Sequence, residues 1–258
     1  MTNWTRIVRG TIGVAGVLAV AELVSRAGFS DTSLPPASTV LLRAAEFFGD
    51  TEFLSAVGST LEAWVLGLLL ATVVAVAVGM ALSTTPWLNR ATRVLVELMR
   101  PIPSVALIPL AIVSFSSITE SKVSLVFYSA CWPILINTLY ALRDVDPLAK
   151  ETLRSFGFGK AAILLRVSLP SAAPFVATGV RISAAVGLVV VVSFELVAGN
   201  GEGVGGYLLQ TQSGGGRPDL MLAGAIWAGV LGALINVGLV ALERRAFRWH
   251  AVRTEASA

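Results

Sequence analysis

Charged residues are scarce in this sequence. Of its 258 residues, 14% are charged and 55% are hydrophobic, and the mean hydropathy is +0.78. Soluble domains carry about 25% charged residues, so this chain has too few to cover a surface that faces water. Cysteine and histidine are also scarce, with one of each, Cys131 and His250. A single cysteine excludes an intrachain disulfide and a zinc site built from cysteines, and one histidine gives metal binding or His-based catalysis little to work with.

Nucleotide-binding motifs are missing as well. The sequence has no Gly-x-x-x-x-Gly-Lys-Ser/Thr run, which cradles phosphates in many ATPases. Residues 201–206 formally match a dinucleotide fingerprint, but they follow an apolar segment and no βαβ unit surrounds them, so we interpret residues 199–216 as a flexible outer loop. We therefore expect no catalytic residue, no metal and no cofactor in this chain, and any ATP and magnesium to be bound by a separate ATPase.

Long apolar stretches are what the sequence has in abundance. Each is close to the roughly 20 residues that a membrane-spanning helix needs, and continuous apolar runs do not show the alternation of a membrane barrel. The sequence therefore predicts an all-α integral membrane protein, a single domain over 1–258 with a bundle core at about 57–242. Six spans are expected, at residues 7–24, 57–82, 94–115, 123–142, 174–197 and 220–242.

Lysine and arginine are distributed unevenly between the loops of this arrangement. With the N-terminus inside, thirteen of them lie on the cytoplasmic side and four, including Lys122, on the other. The positive-inside rule then places both termini in the cytoplasm. The segment after residue 24 is a poor cleavage site, so we expect the first helix to be retained rather than removed as a signal peptide.

Two polar segments have helical patterns of their own. In residues 38–48 an apolar face of Val40, Leu41, Ala44 and Phe48 predicts a short interfacial helix on the outer side.

The second pattern lies in the cytoplasmic loop 143–173. Asp146 is a good N-cap with proline after it, and Gly157 is suited to a left-handed C-terminal stop. Leu148, Thr152 and Phe156 recur every fourth residue and form an apolar ridge, while the charged residues Lys150, Glu151 and Arg154 occupy another face. Such a helix suits either the headgroups of anionic lipids or a soluble partner, and the pattern does not decide between them.

The third predicted span contains Pro101, Pro103 and Pro109, which remove helical hydrogen bonds. A broken helix survives in lipid where it packs on protein or lines a wet cavity. We expect Pro103 and Ser104 to line a translocation pathway, and a kink needed only for packing is the alternative.

Glu195 is a further pathway candidate, since a charge in a span needs a partner or water. Near the cytoplasmic interface, Glu97, Arg100 and Arg181 are expected to snorkel. Small residues at every fourth position, Gly179, Ser183 and Gly187, and likewise 225, 229 and 233, indicate close helix packing, within the chain or between two copies.

Several motifs together resemble one family. Glu151-Thr152-Leu153, Gly157, Leu169-Pro170 and Pro174 are similar to the "EAA" loop of binding-protein-dependent ABC importer permeases, although Thr152 and Leu153 replace the usual small residues.

The resemblance covers residues 35–250 and points to the nitrate/sulfonate/taurine branch. The matching segments are Pro35-Pro36-Ala37-Ser38, residues 100–103 and 106–110, Glu195, residues 201–206 and Phe247-Arg248-Trp249. Residues 115–120 depart from the glycine-rich turn usual in that branch.

This resemblance implies a six-helix bundle of the type I ABC importer permease kind. It makes residues 146–157 the coupling helix, with Lys150, Glu151, Arg154, Phe156 and Gly157 acting on the ATPase. It further implies two ATPase subunits, an extracytoplasmic solute-binding protein, a second permease copy as a homodimer, and no nucleic acid. The solute is expected to be a sulfonate-, taurine- or nitrate-like anion or a pyrimidine-type precursor. A stand-alone secondary transporter or channel is the alternative.

Overall fold

The computed structural model describes residues 3–29, 34–199, 202–213 and 217–247, and no strand occurs among them. The chain is built from α-helices joined by short 3-10 and π-helical turns. In chain order the helices are α1 (Asn3–Val24), α2 (Ala37–Glu46), α3 (Thr51–Thr84), α4 (Pro86–Met99), α5 (Ile108–Ser114), α6 (Ile118–Arg143), α7 (Pro147–Ser155), α8 (Lys160–Ile163), α9 (Leu169–Ala198), α10 (Gly203–Ser213) and α11 (Pro218–Ala246).

Five helical segments of the described chain are long and apolar enough to cross a membrane: Val8–Ala27, Thr51–Thr84, Ile118–Arg143, Lys160–Ala198 and Pro218–Ala246. The expected third span is not a straight helix, because Trp87–Met99 and Ser104–Ser114 meet at an angle of 83°. The count is therefore five, or six when the bent pair is one span.

Three features of the fold differ from the sequence prediction. The long cytoplasmic loop was expected to run to residue 173, but helix resumes at Lys160 and continues through a π-helical turn at Leu164–Ser168 into α9. Residues 199–216, interpreted as a flexible loop, contain α10, where Val204 and Leu208 are buried. The apolar residues predicted to share one face of residues 38–48 are divided, since Val40 and Ala44 are buried together with Phe47 while Leu41 and Phe48 are exposed.

The described residues form two compact units. The first comprises those within Met1–Ser59 and Gly199–Val230. Its centre is aromatic: the Phe47 and Phe53 rings stack with centroids 4.5 Å apart, and the rings of Tyr207 and Trp227 meet the Phe53 ring edge-on. Such pairs add about 0.5–1.5 kcal/mol beyond their buried area. The Tyr207 hydroxyl donates to Asp50, and this hydrogen bond holds the pKa of that carboxyl below its usual value.

The second unit comprises the described residues within Thr60–Ala198 and Leu231–Ala258. Its core is formed by α3, α6 and α9, with fully buried Ala63, Val126, Ile134 and Val191. The indole N–H of Trp64 donates to the Ala184 carbonyl at 2.9 Å, so the hydrogen bond joins α3 to α9.

Helices α6 and α9 pack through the predicted stripe of small residues. A Cβ placed on Gly179 would lie 2.8 Å from Asn137 Cβ, and one on Gly187 would lie 3.1 Å from Val126 Cγ1. Between them the Ser183 hydroxyl donates to the Ala130 carbonyl at 2.8 Å. Close packing within the chain is therefore confirmed for this stripe. The second stripe, residues 225, 229 and 233, is not closely packed at its middle position, because a Cβ on Gly229 would meet nothing within 4 Å.

Replacing Gly179 by valine is expected to destabilise the fold by about 1–3 kcal/mol. The added Cβ would lie 2.8 Å from Asn137 Cβ and 3.3 Å from Ile134 Cα, and neither atom can move aside as the end of a flexible side chain would. Gly238→Val is the matched control on α11, because a Cβ there meets nothing within 4 Å. Thermal unfolding of the detergent-purified protein measures both. Equal transition temperatures for the two variants would contradict this packing of α6 on α9.

Candidate functional site

The predicted cytoplasmic helix exists and both of its ends are capped. The Asp146 side chain accepts a hydrogen bond from the Leu148 N–H at 2.8 Å, and Pro147 occupies the first helical turn. At the other end Gly157 has a φ of +82°, where the Gly157 N–H donates to Arg154 O at 2.9 Å and the Phe158 N–H to Leu153 O at 3.1 Å. These two bonds form a Schellman motif. A helix of nine residues is too short to be stable by itself, so the caps are what define its length.

The surface of α7 is largely uncovered. None of its residues is buried, and Leu148 and Phe156 expose 69% and 78% of their surface. The charged side chains of Glu151 and Arg154 are exposed beside them. Large apolar side chains grouped with charges on an exposed helix are typical of an interaction surface.

Lys150 differs from the other predicted coupling residues. Its Nζ donates to the Leu142 carbonyl at 3.2 Å, so its side chain turns toward the end of α6. It also lines a cavity of about 210 Å³ together with Arg154 and Lys160. Close by, the Arg166 guanidinium lies 5.0 Å from the centre of the Phe158 ring, a cation–π contact that holds the segment after Gly157.

The break between α4 and α5 is stabilised by protein groups. The Met99 carbonyl, at the end of α4, accepts hydrogen bonds from the Tyr128 hydroxyl at 2.8 Å and from the Ile102 N–H at 3.3 Å. Pro103 then precedes a 3-10 turn over Ser104–Leu107, and a second proline lies in the first turn of α5. The Met99 carbonyl, which Pro103 leaves without its helical donor, is thus hydrogen-bonded within the protein, as a broken helix in a membrane requires.

A cavity of about 630 Å³ lies against this break. Both Pro103 and Ser104 line it, together with Arg100 and with residues of α6 and α9 that include Trp132, Asn137 and Ile182. This volume falls within the range of small-molecule sites. Pro103 and Ser104, which were predicted to line a translocation pathway, therefore line a cavity in the structure. That this cavity is part of a pathway stays a prediction.

Glu195 occupies a different environment. Its carboxylate is fully buried, with Oε1 3.0 Å from Lys122 Nζ and both oxygens 2.9 Å from the Thr60 hydroxyl, which donates to them. Lys122 exposes 1% of its side chain. It was predicted to lie in an outer loop, and this is wrong: it lies within the second turn of α6. The pathway role of Glu195 stays a prediction, and its described contacts are those of a buried ion pair joining α3, α6 and α9.

Two features of this region were missed from the sequence. One is the pairing of Lys122 with Glu195. The fourth span was predicted to begin at residue 123, so Lys122 was placed outside it. Two opposite charges near the ends of two spans were the sequence signal that could have indicated the pair. The other is the position of Arg100 on the cavity wall, since it was interpreted as an interfacial side chain. Arg181, interpreted in the same way, lies 3.4 Å from Glu243.

Comparisons with known proteins agree with this architecture. The taurine transport system permease protein TauC of Escherichia coli (strain K12) is 30% identical over 222 residues, which cover 84% of this chain and 80% of that protein. The nitrate import permease protein NrtB of Leptolyngbya laminosa is 25% identical over 187 residues, or 72% of this chain and 66% of that protein.

The fold is also found in a solved structure. A chain of a bacterial alginate ABC transporter, crystallised in complex with a periplasmic protein bound to an alginate pentasaccharide, superposes with a TM-score of 0.66 at 16% identity, covering 95% of this chain and 98% of that one. Residues 66–248 match the family described as the binding-protein-dependent transport system inner membrane component. This chain therefore belongs to the family of inner-membrane components of binding-protein-dependent transport systems.

Proposed function

We propose that this chain is the channel-forming permease subunit of an ATP-binding cassette importer and that α7 couples it to a separate ATPase. The observation that carries the proposal is the doubly capped, uncovered helix α7. A short helix fixed at both ends transmits a push without bending, which a loop held by fewer bonds does not. Its exposed Leu148 and Phe156 offer apolar area, and Glu151 and Arg154 offer charges, to a partner in the cytoplasm.

The partners follow from the family. We propose two ATPase subunits that bind ATP and magnesium, an extracytoplasmic solute-binding protein and a second copy of this permease, with both termini in the cytoplasm of the plasma membrane. Relatives named for taurine and nitrate support a small anionic solute, since a sulfonate and a nitrate share a compact, negatively charged group of oxygens.

The test is uptake by the assembled transporter. The chain is purified from its native membrane with its partners, the co-purified ATPase is identified by mass spectrometry, and the complex is reconstituted in liposomes with the binding protein. Uptake of labelled taurine, nitrate and methanesulfonate is then measured with ATP, and with ATP plus orthovanadate. We expect vanadate to abolish uptake of at least one of these anions.

Two outcomes contradict the proposal. Uptake that persists without ATP and follows an ion gradient would identify a stand-alone secondary transporter or channel. If the chain is purified from membranes with active uptake and no ATPase accompanies it, the proposed coupling role of α7 is wrong.

A further inference from the structure

The charge on the wall of the 630 Å³ cavity has one sign. Arg100 is the charged residue among those that line it, and no aspartate or glutamate occurs in the described lining. Within the described part of the chain the Arg100 guanidinium makes no ion pair or hydrogen bond. Its side chain is exposed. An exposed guanidinium in a membrane-embedded region needs water or an anion beside it.

The other polar groups of the cavity suit an anion with oxygen atoms. Trp132 lines the cavity, but its indole nitrogen is buried and has no hydrogen-bond acceptor among the described residues, so it is not counted among the donors of the wall. Ser104 contributes a hydroxyl, and Asn137 an amide whose Nδ2 also donates to the Pro133 carbonyl at 2.8 Å and so has one further N–H to offer. A guanidinium presents several N–H donors in a fixed plane, which matches carboxylate, sulfonate or nitrate oxygens.

The remaining wall is apolar. Ile182 and Val186 of α9 and Ile136 of α6 face the same space. An apolar wall lowers the local dielectric and strengthens the attraction between a cation and an anion. A second cavity of about 210 Å³ shares Arg100 and adds Glu97 and Arg143, so the basic residues outnumber the acidic one there also.

We propose that the cavity bounded by the α4–α5 break, α6 and α9 is a binding site for the transported anion, and that Arg100 holds its negatively charged oxygens. This rests on the proposed transport function and narrows its substrate class to small oxyanions. Ser104 and Asn137 complete the polar side of the site, while Ile182 and Val186 form its apolar side.

The first test reads the charge of the cavity without requiring transport. In a Cys131→Ala background, Ser104→Cys places one thiol on the wall, and its reaction with an anionic and a cationic methanethiosulfonate reagent is timed in membranes of the full chain. We expect Arg100→Gln to lower the ratio of anionic to cationic rate by about sixfold, as for a unit charge ~8 Å away in water acting oppositely on the two reagents. Arg100→Lys should keep the ratio within about twofold.

Ser155→Cys on α7 is the control position, because residue 155 lines neither cavity. Its ratio should not respond to Arg100→Gln. An unchanged ratio for the Ser104→Cys thiol overturns the proposal. The proposal is also overturned if that thiol reacts with neither reagent, because lipid or a second copy of the chain then fills the cavity.

The second test measures the KM for whichever anion the unaltered complex imports. Arg100→Gln should raise this KM at least tenfold, with most of the affinity restored in Arg100→Lys. An unchanged KM overturns the site even if uptake depends on ATP. If instead no ATP-dependent uptake occurs at all, the transport function fails while the labelling ratio still decides the charge of the cavity.

Discussion

Replacing Glu195 by leucine is expected to destabilise the protein by about 3–5 kcal/mol, because the buried Lys122 ammonium loses the carboxylate that lies 3.0 Å from it. The pair is 3.0 Å apart, and the side chains expose 1% and 0% of their surface. The Thr60 hydroxyl loses this carboxylate as an acceptor at the same time. The measurement is thermal or denaturant unfolding of the purified chain, together with its yield in the membrane.

The double variant Lys122→Met/Glu195→Leu is the informative control. Removing both charges removes the desolvation cost of both, and well-packed apolar replacements of a buried pair are often neutral or stabilising. We therefore expect the double variant to recover most of the stability lost in the single one. If the two variants are equally unstable, shape rather than charge governs this position. If Glu195→Leu alone is fully stable, Lys122 has another means of keeping its charge.

These variants also separate the two roles considered for Glu195. A carboxylate that contacts the solute changes KM when it is removed, even where the fold is intact. A carboxylate that only joins α3, α6 and α9 changes stability and leaves KM unaltered in the stable double variant. Uptake kinetics of that variant decide between the two.

Changes in α7 are expected to abolish uptake while the chain still inserts and folds. Gly157→Pro forces a φ near −65° where the structure has +82°, and it removes the N–H that donates to Arg154. The Schellman motif is lost, so the end of the proposed coupling helix is no longer fixed. Glu151→Arg keeps the helix but reverses an exposed charge, so its effect reports the partner and not the fold.

Gly159→Ala is the matched control in the same loop. Its φ is −72°, which any residue adopts, and a Cβ there meets nothing within 4 Å. Vanadate-sensitive uptake and membrane content are measured for all three variants. Normal uptake in Gly157→Pro or in Glu151→Arg would refute the coupling role, and loss of uptake in Gly159→Ala would show that the loop tolerates no change at all.

Features that depend on near neighbours in the chain were predicted well. The caps of α7 at Asp146 and Gly157 are where the sequence placed them, because a cap involves only the residues of one helical turn. The break near Pro103 was expected for a similar reason, since proline removes a helical hydrogen bond whatever the tertiary structure around it. The close approach at Gly179 followed from small residues at helical spacing.

Features that depend on distant residues were not. Residues 38–48 were predicted to lie with an apolar face at the membrane interface, but Val40, Ala44 and Phe47 are buried in the protein. Phe47 is buried rather than Phe48 because its ring packs against those of Phe53 and Tyr207. The helical character of residues 203–213 was hidden by their glycines, because burial of Val204 and Leu208 outweighs the low helix propensity of glycine.

The sequence by itself determined that this chain is a bundle of apolar helices, that one short polar helix is capped at both ends, and to which family the motifs belong. Each of these depends on composition or on residues a few positions apart. Only the tertiary structure decided that Lys122 is buried with Glu195, which accepts a hydrogen bond from a threonine 135 residues away, and that Arg100 stands on a cavity wall. A charged side chain in a span needs a partner or water, but this rule does not say which of the possible partners in the sequence it meets. The packing of α3, α6 and α9 selects which partner it meets.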